Sequence, residues 1–220
     1  MSAPPRKRRR SSVSLAPRIS TADQALALAR KALSQNPVKE LKFIDTSVSD
    51  GNLFDGAGNE VITFLTPIAV GDSKSSRDGD KVMLKSISSR WSIKSVKACL
   101  CRCMIVYLAH PFIDSGNYAA GNFLESVAVE SHSEMDRTKQ FVVLMDRTYK
   151  LDPAFSAEQT FVYDKMFRKL NHPQSYTVGA DGTDESLLTQ GGLFMIWVSD
   201  GAATTNVDLN ISTRVRFVDV

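Results

Sequence analysis

Long hydrophobic runs, paired cysteines, catalytic histidine spacings and helical periodicity are all scarce in this chain of 220 residues. The longest apolar stretches, such as Leu193–Val198, fall far short of the roughly 20 residues that cross a bilayer as a helix, so membrane insertion is not expected. Ser11–Ser20 is too polar to form the apolar part of a secretory leader, and the expectation is a protein made in the cytosol. The three cysteines, Cys99, Cys101 and Cys103, follow a C-x-C-x-C spacing. No second pair completes the ligand pattern of a structural zinc site. On an extended strand their side chains share one face about 6–7 Å apart, which reads as buried reduced thiols on a core strand.

His110, His132 and His172 form neither an H-x-x-x-H nor an H-E-x-x-H spacing, and no G-x-S-x-G or phosphate-loop string is present. Without these constellations no enzyme, no cofactor and no metal centre is expected. Asp78 and Asp80 around Gly79 are hard oxygen donors of the kind calcium takes, but turn formation is the simpler role. Aromatic residues are few: two tryptophans, five tyrosines and eleven phenylalanines, with little sign of an exposed aromatic platform. That scarcity argues against a carbohydrate-binding domain, and Trp91 and Trp197 fall on strand patterns that read as buried.

Acidic residues are missing altogether before residue 19, where Arg6, Lys7, Arg8, Arg9, Arg10 and Arg18 all fall. The formal net charge of +3 therefore divides unevenly: the tail carries +6, and the remaining 21 basic residues face 24 acidic ones, a body of −3. Concentrated cations on a segment rich in Arg, Ser and Pro, with no apolar period, read as a disordered arm over residues 1–20. "PPRKRRRSS" at residues 4–12 suits nucleic-acid binding by counterion release, with a log–log salt slope of about −0.7 per contact on single strands. The same five cations, Arg6 to Arg10, also read as a nuclear localisation signal that would engage host import machinery. No base-reading pattern accompanies them, so binding is expected to tolerate sequence.

One helix is predicted, from Ala22 to about Gln35. Thr21 is a plausible N-cap with Gln24 three residues on, Ala22, Ala25, Leu26, Ala29, Ala32 and Leu33 form the apolar stripe, and Pro37 follows the end. Arg30 and Lys31 lie off that stripe and extend the basic character of the arm. From residue 38 onward the pattern has period two, predicting strands at about 40–47, 61–70, 81–97, 99–110, 139–151, 160–168, 173–179, 193–199 and 206–219. In the last, Val207, Leu209, Ile211, Thr213, Val215 and Phe217 alternate with Asp208, Asn210, Ser212, Arg214 and Arg216. Leu100–Leu108 and Leu193–Val198 are apolar on both faces, as interior strands of a covered sheet would be. A short helix at 122–130 is also predicted. Many strands with almost no crossover helix point to an antiparallel sandwich or barrel.

"SSRDGDKVMLKSISSRWSIKS" at 75–95, "FVVLMDRTYKLD" at 141–152 and "FVYDKMFRKLN" at 161–171 resemble strand regions of capsid proteins of small circular single-stranded DNA viruses. They are also similar to satellite tobacco necrosis virus-like capsid proteins. With the Arg-rich start and the Ala-rich helix, the likeness covers most of the chain in order. The resemblance implies an all-β fold, a single eight-stranded antiparallel jelly-roll sandwich over residues 38–220. It also implies self-assembly into an icosahedral shell of sixty copies around a single-stranded genome, with the arm (1–20) and the helix and linker (21–37) inside. Localisation would then be the virion, and the host nucleus and cytoplasm. The import signal favours DNA over RNA.

The loops at 110–138 and 179–192 are the expected suppliers of contacts between copies. Arg214 and Arg216, two residues apart on one strand face, read either as phosphate contacts or as ordinary exposed positions beside acidic neighbours. Lys165, Arg168 and Lys169 attract the same two readings. The alternative function is a non-capsid, sequence-tolerant nucleic-acid-binding β-barrel protein with a nuclear localisation signal.

Overall fold

The computed structural model describes residues 40–50, 60–112, 118–137, 139–153, 160–200 and 207–220. The arm, the predicted helix and the cations Arg6, Lys7, Arg8, Arg9, Arg10, Arg18, Arg30 and Lys31 lie outside the described residues.

The described residues form an all-β sandwich of two antiparallel sheets, as the period-two pattern predicts. In chain order the strands are β1 (Lys42–Asp50), β2 (Glu60–Phe64), β3 (Lys81–Ser95), β4 (Cys99–Leu108), β5 (Phe141–Leu151), β6 (Thr160–Tyr176), β7 (Leu188–Gln190), β8 (Leu193–Ser199) and β9 (Val207–Asp219). Sheet 1 has the order β1-β9-β3-β6-β7, and sheet 2 the order β2-β8-β4-β5. β9 behaves as its alternation dictates, with Val207, Leu209, Ile211, Thr213, Val215 and Phe217 buried. In β3 the apolar residues Leu84 and Ile87 are three apart, an odd spacing that a regular strand cannot point the same way. A bulge between Leu84 and Ser86 resets the parity and buries both.

Between the sheets, Trp91 from β3 meets Trp197 from β8 edge to face, ring centres 6.3 Å apart. Each buries enough surface to contribute about 4–6 kcal/mol at ~25 cal/mol/Å². Cys99, Cys101 and Cys103 share the inward face of β4 and are buried free thiols. Burial holds the Cys103 thiol well above its ordinary pKa. Ser89 and Thr213, two buried polar residues of this layer, satisfy each other through a 2.7 Å hydroxyl–hydroxyl bond.

β4 and β8 are buried on both faces because the connection at 118–134 lies over the outer side of sheet 2. Phe123 and Leu124 are buried there, and Phe123 and Tyr118 pack on Phe194. Arg102 anchors that cover: it makes a bidentate pair with Asp146 at 2.8 and 2.6 Å and donates to the carbonyls of Val129 and Ser131. The helix predicted at 122–130 does not form. A 3-10 turn occupies Ala120–Asn122, after which Glu125 N–H bonds the His132 carbonyl and Glu134 N–H that of Phe123. The backbone donors are thus spent across a narrow antiparallel loop rather than along a helix.

The strands predicted at 160–168 and 173–179 are one strand, β6. Pro173 does not break it, since β6 pairs only with β3 over most of its length and proline is tolerated on edge strands. The chain crosses from β7 to β8 through Gly191 and Gly192. At Gly191 φ is +75° and a Cβ would lie 2.2 Å from the Pro173 carbonyl oxygen, so only glycine fits.

Replacing Arg102 by alanine is expected to lower the unfolding free energy by about 2–3 kcal/mol, because it orphans two carbonyls and a carboxylate. Arg147→Ala, which removes a half-exposed cation from Asp164, should cost under about 1 kcal/mol. Urea unfolding of the two variants checks the order. Equal losses would contradict the anchoring role of Arg102.

Candidate nucleic-acid interface

The inward side of β6 is pinned from the other sheet. Asp164 accepts from the Tyr149 hydroxyl at 2.7 Å and pairs with Arg147, both from β5, while Trp91 Nε1 donates to the same hydroxyl at 3.2 Å. Partial burial pushes the Asp164 carboxyl up, but the bonds from Arg147 and Tyr149 outweigh it and hold the group below its ordinary pKa. Arg168 adds a bond to the Leu144 carbonyl at 2.5 Å. With the even-numbered residues 162–168 turned toward the sandwich, the odd-numbered ones must face out. Phe161, Tyr163, Lys165, Phe167 and Lys169 are accordingly exposed.

Ladder partners share a face, so the register sorts the outer side of sheet 1 into rows running from β1 through β9 and β3 to β6. The first row is Phe43, Arg216, Ser86 and Lys169; the next is Asp45, Arg214, Ser88 and Phe167. Then follow Ser47, Ser212, Arg90 and Lys165, and after them Ser49, Asn210, Ser92 and Tyr163. The last is Asp208, Lys94 and Phe161. Short hydroxyl side chains thus floor the centre, while the long side chains of β6 stand along one side. The result is a groove of about 590 Å³, with Arg90, Arg214 and Arg216 reaching into it over serine hydroxyls.

Six cations in these rows face two carboxylates, and both carboxylates are already engaged. Arg214 makes a bidentate pair with Asp45 at 2.7 and 2.6 Å and lies over the Phe43 ring, 4.5 Å from its centre. That bond from Arg214 holds the Asp45 carboxyl below its ordinary pKa. Lys94 pairs with Asp208 at 2.9 Å. Among the described residues no carboxylate lies within ion-pair distance of Arg90, Lys165, Lys169 or Arg216. The face can therefore hold a polyanion through guanidinium, ammonium and hydroxyl donors together.

Of the residues that sequence reasoning singled out, the structure brings Arg214 and Arg216 onto this one face, with Arg214 taken up by its acidic neighbour. It separates the trio of β6: Lys165 and Lys169 point outward, Arg168 to the Leu144 carbonyl. Trp91 and Trp197 are buried. Asp78 bonds Lys42 at 3.0 Å, and Asp80 lies 3.3 Å from the buried Arg77, so both serve the turn ahead of β3. Among the described residues no three His, Cys, Asp or Glu side chains gather as metal ligands would. What sequence reasoning missed is Arg90 and the rings of Phe161, Tyr163 and Phe167. The signal was present in the shared parity of those rings with Lys165 and Lys169.

Asp45→Asn should release Arg214 and steepen the salt dependence of single-strand binding by about 0.7 in log–log slope, and Arg216→Gln should flatten it by as much. Titrating the full-length protein with a labelled oligothymidylate across a salt series checks both signs. Acid should act as Asp45→Asn does. The ion pair persists above the ordinary aspartate range and is lost as pH falls through the depressed folded pKa. Compared with protein-family models and with curated proteins, the chain matches neither.

Proposed function

We propose that this chain is the coat protein of a small icosahedral virus. In this reading it is an eight-stranded jelly roll that self-assembles into a shell and packages a single-stranded genome, DNA in preference to RNA. The observation that carries the reading is the pairing scheme. With the three-residue β7 set aside, the first long strand pairs with the last, β2 with β8, β3 with β6, and β4 with β5. A long hairpin of four strands each way, rolled up on itself, produces that set of partners, and the jelly roll is this arrangement.

Packaging is assigned to the cations Arg6, Lys7, Arg8, Arg9, Arg10 and Arg18, with Arg30 and Lys31 beyond them. Six charges without acidic neighbours bind phosphates wherever they occur, which packaging of an entire genome requires. The cationic outer face of sheet 1 supports the same reading, as a second basic surface on a body that is acidic in sum. In the host cell the arm would also engage the nuclear import machinery, since both uses need exposed cations.

The test is sedimentation together with ultraviolet absorbance, applied to the full chain and to a full-length variant whose five cations at residues 6–10 are glutamine. The wild type is expected to run as a uniform megadalton particle carrying nuclease-protected nucleic acid. The variant is expected to lose that nucleic acid or its uniformity. Small species for both, across salt and pH, would overturn the coat-protein reading in favour of a nucleic-acid-binding β-barrel factor.

A further inference from the structure

We propose that the outer face of sheet 1 is a base-stacking platform for single-stranded nucleic acid: Phe161, Tyr163 and Phe167 stack on unpaired bases, while Arg90, Lys165 and Arg216 meet the phosphates. The inference rests on the nucleic-acid part of the reading above and does not depend on assembly.

Three large rings on one strand face are 61%, 58% and 63% exposed. Single exposed apolar residues are ordinary, but an aligned group of them marks a surface that another molecule covers. The composition of the face says which kind. Lysine is depleted at the centres of protein–protein contacts, yet here Lys165 stands between Tyr163 and Phe167 on the same side of the strand. Rings interleaved with cations are what sequence-tolerant single-strand binding uses, because every base offers a π-face and every nucleotide a phosphate. The charge is complementary as well, since both carboxylates in the rows are paired, while among the described residues no carboxylate lies within ion-pair distance of Arg90, Lys165 or Arg216.

Spacing decides between single strand and duplex. Side chains two residues apart on a strand stand about 7 Å from one another. The rise of a stacked nucleic-acid strand is about 3.4 Å per base, so successive bases of a duplex cannot meet successive rings. A strand with splayed, unstacked bases can. The serine floor provides hydroxyls that donate or accept equally, so the face is not built to read base edges.

The experiment photo-crosslinks full-length protein to a bromouracil-substituted single strand and to the corresponding duplex, maps the crosslinked peptides, and measures affinity by titration. Crosslinks are expected in the β6 peptide carrying Phe161, Tyr163 and Phe167, with the single strand only. A Phe161→Ala, Phe167→Ala variant should lose at least about tenfold in single-strand affinity, with little change in salt slope, since stacking contributes about 1–3 kcal/mol per base. Phe161→Tyr with Phe167→Tyr should restore it, which a merely misfolded alanine variant would not explain.

Crosslinks confined to residues 1–39, with unchanged affinity in the alanine variant, would overturn the platform and leave packaging by the arm standing. Unchanged affinity with a loss of self-association would overturn it too, assigning the rings to contacts between copies. A wild type with no salt-dependent affinity for single strands would overturn both this inference and the nucleic-acid reading beneath it.

Discussion

The placement of the β6 groups on the candidate face depends on a polar clasp between the sheets. Tyr149 and Arg147 of β5 both hold Asp164 of β6, and Trp91 donates to the same tyrosine hydroxyl. A strand has only two faces, and a slip of one residue exchanges them completely. Fixing Asp164 inward therefore fixes Phe161, Tyr163, Lys165, Phe167 and Lys169 outward at one stroke. The clasp is internally satisfied: the hydroxyl both donates and accepts, and Trp91 and Trp197 pack around it. Partial burial would make an unpaired carboxylate costly there, which is why the register has little freedom.

The two sheets are finished differently. Sheet 2 is covered by the chain itself, through the connection that Arg102 ties down and the aromatic cluster of Phe112, Tyr118, Phe123 and Phe194. Sheet 1 has no such cover among the described residues, and its outer side carries hydroxyls, guanidiniums, ammoniums and rings in place of aliphatic residues. The buried cations Arg77 and Lys42 reinforce one end of the sandwich. Arg77 donates to the carbonyls of Ile68, Gly79 and Ala180 and lies over the Tyr176 ring, and Lys42 joins Asp78 to Asp219. Buried ion pairs and ring contacts are thus concentrated in the core, the turns and sheet 2, while exposed cations and rings line the remaining face.

Much of this was legible in the sequence where one face of a strand is purely apolar. β9 declares itself through strict alternation, and β4 and β8 through apolar residues on both faces. The same reasoning fails where parity is ambiguous. In "FVYDKMFRKL" both parities carry apolar groups, Phe161, Tyr163 and Phe167 on one and Val162, Met166 and Leu170 on the other. The choice is made by the partner of Asp164, which lies on another strand and in the other sheet. The helix expected at 122–130 and the break expected between residues 168 and 173 fail for a related reason. Local preference yields to non-local bonds, those of Phe123 and Glu125 across their loop and those of β6 to β3. The bulge after Leu84 has a sequence trace only in hindsight, in the odd spacing of Leu84 and Ile87.

The proposed contact of the outer face of sheet 1 with nucleic acid can be observed directly. The most direct measurement is an electron-microscopic reconstruction of particles assembled from the full chain with their nucleic acid. Density from the packaged strand is expected along β9, β3 and β6, against Arg90, Arg216 and the rings of β6. A reconstruction in which that face points to the outside of the particle, or is buried between neighbouring copies, would contradict it.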